Sequence, residues 1–391
     1  MTPSPQDGRL TIGVFRLQLF KPSETFITTQ AQALQRHRVV YVGRRLFGPA
    51  PPDAEVVSLG RGWAASLRLM LLRDPAPLLA ALGQRRIDIL HAHFAVDGVY
   101  AQALARRLKV PLVTTLHGFD VSRRRRSLLL SMRPALIHAV LGWRSLAREG
   151  ALFLGVSQAV MEAALSRGAP SDRLRRHAIG VNLARLTPPG AGEPGLIVHV
   201  GRLVEKKGAS VLLDALAAIA DRTPQARLAI IGEGPLQRRL EAQVARLALG
   251  GRVDLLGALD HEATLGWLSR ACVVAAPSLT ARNGDMEGLP TVVLEAAALG
   301  RAIVASDTGG TAEAVEDGVS ALLVAPGDVE GLAEALARAL GDARLAERLG
   351  SAARRRVERD YCLARQTQRL EGLYDEVQPR SGSSETPQGE P

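Results

Sequence analysis

The chain is poor in cysteine, lysine and aromatic residues. Cys272 and Cys362 are its only cysteines in 391 residues. Two are too few for a disulfide framework or a structural zinc site, and they suit a reducing compartment. No apolar run reaches the roughly 18 residues that suggest a membrane span. The longest candidate, Leu128 to Trp143, is interrupted by Arg133 and His138. Met1 to Gly8 is polar and carries two prolines, so it does not read as a secretory signal, and the expected location is the cytoplasm. Only four of the 49 basic residues are lysine: Lys21, Lys109, Lys206 and Lys207. A coding bias towards arginine accounts for that scarcity in the chain as a whole, and it singles out the adjacent pair at 206–207.

What is present points to a folded chain of more than one domain. Hydrophobic residues are 47% of the total, enough for a sizeable core. The length suggests two or three domains. The net charge of +10 divides unevenly. Residues 1–190 hold 27 basic and 11 acidic residues, a net of +16, and residues 191–391 hold 22 and 28, a net of −6. The two halves therefore face different partners.

The order is strand, turn, helix, repeated. Leu10–Phe15, Val39–Val42, Ile87–Leu90, Pro111–Leu116 and Leu152–Val156 are short apolar runs, with helical patterns such as Thr25–Gln35 and Gly98–Arg107 between them. Continuous apolar strands separated by helices indicate a parallel sheet covered on both faces. Leu186–Gly195, with three prolines and three glycines, reads as a linker. A second series follows: Leu196–Val200, Arg227–Ile231, Val253–Leu256, Cys272–Ala276, Ala302–Ala305 and Ala321–Val324. Two α/β domains facing across a cleft are expected, over 1–188 and 189–360. A helix over 361–377 is expected to return to the first domain. Residues 378–391 have the composition of a disordered tail. Ligands of open parallel sheets bind beyond the carboxyl ends of the strands, so candidate residues are sought there.

In the second half, Leu196–Val200 runs into Gly201-Arg202, and Lys207-Gly208 opens the next helix. Arg202 and Lys207 can reach one anion above the strand end, helped by the helix N-terminus. Taken alone, the pair also fits a solvated loop. Gly232-Glu233-Gly234 follows a strand, where the glycines allow close approach of a flat or charged group. It lacks the third glycine of the dinucleotide fingerprint, and an ordinary turn explains it as well. Pro290 occupies a helix start. Gly288, Leu289 and Thr291 can present backbone N–H groups to an anion there. Glu295 falls in an otherwise apolar helix and needs donors, which vicinal ribose hydroxyls would supply. Glu287 lies in the loop just before.

In the first half, His91-Ala92-His93 and His117-Gly118 both end strands. Two histidines two apart can ligate a metal, but no third ligand has suitable spacing, so no metal site is expected. A packed, hydrogen-bonded imidazole is the simpler account of His91. Gly118 allows a bound sugar to approach His117. Glu24, Asp97 and Asp120 are the few carboxylates available to the first-domain side. Arg123, Arg124, Arg125 and Arg126 precede Leu128-Leu129-Leu130. Four cations beside an apolar stretch suit an anionic membrane surface or a lipid diphosphate acceptor, at about 1 kcal/mol per basic residue near such a surface. A solvated basic face is the alternative. Nucleic acid is not expected, because no aromatics interleave with the arginines.

Taken jointly, these motifs resemble the retaining glycosyltransferases of family 4, which have the GT-B fold. The pattern is nearest to the bacterial exopolysaccharide and colanic-acid type. The matching features are Gly201-Arg202 with Lys207-Gly208, Gly232-x-Gly234, Pro277-Ser278, and Glu287 with Glu295 around Gly288-Leu289-Pro290. Gly309-Gly310 with Glu313 and Asp317-Gly318 follow. The resemblance covers nearly all of residues 196–360. It implies a nucleoside diphosphate sugar as donor, with UDP or GDP as the nucleotide. It implies Arg202 and Lys207 on the diphosphate, Glu295 on the ribose, and Glu287 with the Gly288–Pro290 backbone at the sugar. His117 matches the family's His-Gly pair, where the histidine lies against the donor sugar, and His93 matches a His-x-His segment. Pro22-Ser23-Glu24-Thr25 stands, as in exopolysaccharide-type relatives, where many members carry a Gly-Gly turn, so the acceptor-side phosphate contact of other members is not carried over to this chain. On this resemblance Glu24, His93, Asp120 and Arg123–Arg126 are expected on the acceptor side. The acceptor expected on this resemblance is a lipid-linked glycan, met at the inner face of the membrane. No cofactor or metal is expected, since no Asp-x-Asp motif is present. The competing expectations are a nucleotide-sugar 2-epimerase of the same shape and a non-catalytic nucleotide-sugar-binding protein.

Overall fold

The computed structural model describes residues 9–378. The expectations for Met1 to Gly8 and for the tail after Gln378 lie outside the described residues. Among the described residues, thirteen strands form two sheets. The first contains β1 (Thr11–Leu19), β2 (Arg38–Leu46), β3 (Glu55–Ser58), β4 (Ile89–His93), β5 (Leu112–Leu116), β6 (Leu152–Gly155) and β7 (Leu174–Arg176), in the order β3-β2-β1-β4-β5-β6-β7. The second contains β8 (Leu196–Val200), β9 (Arg227–Ile231), β10 (Val253–Leu255), β11 (Val273–Ala276), β12 (Ala302–Ser306) and β13 (Leu322–Val324), in the order β10-β9-β8-β11-β12-β13. Every pairing is parallel.

The apolar runs form strands because helices cover both faces of each sheet. In β4, β5, β6, β11 and β12 every residue is buried. Such strands show no alternation. The two strands that carry no apolar signal, β3 and β7, lie at sheet edges, where EVVS and LRR can leave side chains in water. Helix Ala95–Leu108 begins three residues before the pattern suggested, and helix Thr291–Ala298 starts one residue after Pro290, which serves as its N-cap.

Each sheet reverses strand order once, at β1/β4 and at β8/β11. Crevices open at such switch points. Both open into the cleft between the sheets. The topology therefore places the residues after β1, β4, β8 and β11 around one space.

The helix Leu363–Val377 packs on the first sheet. Leu370 and Tyr374 join a cluster with Leu10, Ile12, Val14, Ile89 and Leu154. The Tyr374 hydroxyl is 2.7 Å from His91 Nδ1, and Glu371 accepts from the amides of Gln35 and Arg36 at 2.8 and 2.7 Å. Tyr374→Ala is expected to cost about 3–5 kcal/mol of stability, the range for emptying a buried aromatic site. Chemical denaturation monitors this directly. A loss below 1 kcal/mol would mean that the helix does not hold the first domain together.

Candidate active site in the interdomain cleft

The second-domain side is built on three chain segments. The loop after β8 contains the short 3-10 turn Glu205–Lys207, and Gly208 follows in the left-handed conformation with φ +71°. A Cβ at Gly201 would meet Lys207 Cδ at 2.9 Å. The absence of a side chain at position 201 is thus what gives the Lys207 stem its path. Lys207 Nζ donates to Glu287 Oε2 at 3.1 Å. Lys206 Nζ donates to Asp285 Oδ1 at 2.9 Å and lies 3.4 Å from Glu287 Oε1. Burial pushes the Glu287 carboxyl up, but the two ammonium groups outweigh it and hold the group below its usual range. Burial likewise lowers Lys206, and Glu287 with Asp285 reverses that, leaving it above its usual value. Glu287 is therefore an anion between two cations, and Glu287 Oε1 has no hydrogen-bond donor in geometry.

Lys206 was not among the residues drawn from the motifs. Its signal was the lysine pair in a lysine-poor chain. Arg202 is exposed and lines the cleft. Glu295 sits on the helix Thr291–Ala298 with no hydrogen-bond donor within range, and His261 Nε2 is 3.9 Å away. Burial raises its carboxyl to about 7. The amides of Gly288, Leu289 and Thr291 donate to no protein acceptor among the described residues. Thr291 opens the helix, so its amide is one of the free first-turn groups, and Gly288 and Leu289 lie in the loop just before it.

The glycines have a different neighbour from the one expected. A Cβ on Gly232 would lie 2.1 Å from Gly201 O, and on Gly234 2.4 Å from Leu203 O. At those two positions the missing side chains let the 201–203 loop approach, and Glu233 between them is exposed. Gly118, at φ +117°, faces Gly288, with its Cβ position 2.9 Å from Gly288 N. A Cβ on Gly288 would lie 2.0 Å from His117 O, and on Gly310 1.8 Å from Gly288 O. The two domains touch here through main chain. This seam brings His117 beside the segment carrying Glu287.

On the first-domain side a column of imidazoles ends at the cleft. His91 and His93 stack at 4.5 Å, and His93 and His117 at 5.4 Å. His93 Nδ1 is 3.1 Å from His117 Nε2. His91 is held by Tyr374 and by Thr115 Oγ1 at 2.7 Å, and burial lowers it to about 3. Burial, with neighbouring imidazoles and Arg16, also pushes His93 and His117 well below their usual value. His117 is neutral, and it packs against Phe94 at 4.4 Å and Phe26 at 5.0 Å. His93 is buried behind it, in contact with His117.

Asp120 turns away from the cleft. Its oxygens accept from the amides of Ala95 at 2.8 Å, His117 at 3.1 Å and Gly118 at 2.9 Å. It clamps the His-Gly turn to the loop after β4. The arginine run splits. Arg123 lines the cleft. Arg124 sits at the seam, with its amide donating to Asn283 O at 2.8 Å. Arg125 and Arg126 are exposed on a short helix, beside Leu130 and Met132, each 81% exposed. Glu24 does line the cleft, paired with Arg16 and, at 3.4 Å, with Lys21.

Arg16 was missed. It is buried at the end of β1, bonded to Asp97 and Glu24, donates to His93 O at 2.9 Å, and lies 4.4 Å over the Phe94 ring. A charge within an otherwise apolar run was the available signal. Burial raises the Asp97 carboxyl to about 6, against the pull of Arg16.

Two parallel-sheet domains with their switch points turned to one cleft define the GT-B class of fold. HepE of Anabaena, solved with UDP and glucose, superposes with a TM-score of 0.75 at 22% identity, over 94% of this chain and 100% of that one. A sucrose-phosphate synthase from Thermosynechococcus elongatus gives 0.78 at 22%, over 94% and 99%. Residues 188–356 match the model for glycosyl transferases group 1, and residues 23–185 that for glycosyltransferase family 4. The amylovoran biosynthesis glycosyltransferase AmsK of Erwinia amylovora is 31% identical over 80% of this chain and 75% of its own length. WcaL of Salmonella typhimurium, assigned as a colanic acid biosynthesis glycosyltransferase, is 32% identical over 64% of this chain and 61% of its own. The chain thus spans less than two thirds of that relative. It belongs to the family 4, group 1 glycosyltransferases.

Proposed function

We propose that the protein transfers a sugar from a nucleoside diphosphate to a hydroxyl of a glycan, with retention at the anomeric carbon. The observation that carries this reading is the Lys206–Glu287–Lys207 cluster at the β8/β11 switch point, one helix from the unsupplied carboxylate of Glu295. The leaving group is a diphosphate. Lys207 and Arg202, with the free amides at Gly288, Leu289 and Thr291, would take up its developing negative charge. Glu287 and the neutral His117 would hold the sugar from either side. The departing phosphate oxygen would receive the acceptor proton on the face where the bond breaks, so no covalent sugar–protein intermediate is needed. Positive charge at this position comes from side chains, so the reaction as proposed needs no metal ion.

The relatives named for amylovoran and colanic acid synthesis support a role in exopolysaccharide or cell-surface polysaccharide synthesis. The donor nucleotide is UDP or GDP. No helix among the described residues is long and apolar enough to cross a membrane. The exposed Leu130 and Met132 beside Arg125 and Arg126, and the basic first domain, support peripheral attachment to the inner membrane face. The epimerase alternative needs free acid and base groups from the first domain. Glu24 and Asp97 are bound to Arg16, and Asp120 to three amides.

Glu295 supplies the test. Ribose hydroxyls would donate to its carboxylate and so favour the charged form, and binding would release a proton. The dissociation constant for UDP is therefore expected to rise about tenfold per pH unit below about 7, the value given for Glu295. Glu295→Gln should bind more weakly and lose that slope. Calorimetric titration with UDP and GDP between pH 5.5 and 8 measures both. No binding of either nucleotide would overturn the proposal, and a flat wild-type profile would remove Glu295 from the ribose.

A further inference from the structure

The cleft holds about 620 Å³. Its carboxylates are all matched. Glu24 and Asp97 pair with Arg16, Asp285 with Lys206, and Glu205 with Arg282 at 3.7 Å. Its cations are not. Arg44, on β2, lines the cleft, and its Nε is buried without an acceptor. No carboxylate among the described residues pairs with it. Arg133, at the entry to helix Pro134–Glu149, lines the same cleft, and its side chain also has no counter-ion among the described residues. Arg123 has only the Ser127 hydroxyl, at 3.3 Å from both Nε and Nη2. Unmatched positive charge therefore gathers on the first-domain wall, opposite the lysines of the second domain. A guanidinium partly withdrawn from water with an open donor is unfavourable unless a ligand brings the acceptor.

The surroundings narrow the ligand further. Met70 and Leu136 line the cleft together with Arg44 and Arg133. The residues next to them in the chain are apolar and in water: Leu71 and Leu72 after Met70, and Met132 before Arg133. An anionic group held by the arginines would have an apolar surface beside it.

We propose that Arg44, Arg123 and Arg133 form a second anion subsite, on the first-domain wall, that holds a phosphate group of the acceptor. This inference rests on the glycosyltransferase reading for the word acceptor, and its chemistry stands separately. Planar guanidinium groups grip phosphate oxygens in pairs, and three of them from separate segments fix the group's place and orientation. The phosphate can belong to a sugar phosphate in solution or to a lipid-linked diphosphate, whose hydrocarbon would lie on Leu71, Leu72 and Met132.

The experiment is titration of the full chain with inorganic pyrophosphate, glucose 1-phosphate and farnesyl diphosphate, with UDP present at saturation to fill the donor site. Wild-type protein should bind one equivalent of at least one probe. Arg44→Gln and Arg133→Gln should each weaken it tenfold or more, with UDP affinity unchanged. Neither variant strands a carboxylate, so melting temperatures should hold, and Arg133→Gln serves where Arg44→Gln alters packing. Farnesyl diphosphate at least tenfold tighter than pyrophosphate marks the lipid-linked source, and equal affinity marks the soluble one. Probe binding that is the same in both variants as in wild type, or absent from wild type, overturns the subsite. Failure of UDP alone to bind overturns the donor reading instead. Titration with pyrophosphate alone, compared between wild type and Arg44→Gln, then decides the subsite.

Discussion

Lys207→Ala is expected to lower the turnover number for sugar transfer by about 10²–10³, with a smaller change in the donor KM. That corresponds to about 2.7–4 kcal/mol, the usual cost of removing one placed donor from a site where negative charge develops. The ground state holds the diphosphate by several groups, so binding falls less than the rate. Lys207 also holds Glu287 Oε2 at 3.1 Å, and its loss leaves Glu287 with Lys206 alone. The Glu287 carboxyl should then rise towards its usual range, and the acid limb of the rate profile should move to higher pH. Gly201→Ala should act in the same direction from a distance, because the new Cβ would occupy the path of the Lys207 stem. Steady-state rates at saturating donor decide the matter. A variant within threefold of wild type would take Lys207 out of the reaction.

Stability is expected to fall steeply between about pH 6.5 and 5. All eight histidines are held below their usual value, first of all by burial, with His91, His93, His177 and His199 almost wholly withdrawn from water. In the unfolded chain they take up protons near 6.5. The folded chain does not, so acid favours unfolding. Asp97, Asp120 and Glu295 act the other way, because burial raises them and the folded chain holds their protons longer. The imidazoles outnumber the carboxyls, so unfolding takes up protons in that window. Each net proton is worth about 1.4 kcal/mol per pH unit. Denaturant midpoints at constant m, measured from pH 8 to 5, test this. Midpoints that do not move between pH 7 and 5 would contradict it.

Most of the strands could be read from the residues of the chain, and the reason is burial. Strands covered on both faces are largely apolar, as in β4 to β6 and β11 to β12, where His91, His93, Thr114 and Thr115 are among the few polar members. Edge strands β3 and β7 face no such demand and left no trace. The second-domain candidates were legible because the carboxyl ends of strands fix where side chains gather. Which way each side chain turns was not legible. Asp120 stands at the right strand end, yet it turns to three amides that only the folded loops bring near. Gly232 and Gly118 were read as room for a ligand, and the room is taken by backbone from other segments. Arg44 carried no signal at all, since an arginine in an arginine-rich chain stands out only when its partners are known to be missing.

The contact between the domains at Gly118 and Gly288 is made by main chain, with the Arg176–Glu313 pair at 3.0 Å also bridging them. Main-chain atoms are the same in every sequence. A first domain taken from one relative and a second from another would meet the same surface, provided that glycine stands at these two places and the ion pair is kept. Donor choice and acceptor choice can then be exchanged as separate modules, and chimaeras cut within the 186–195 linker are the natural way to build transferases with new pairings.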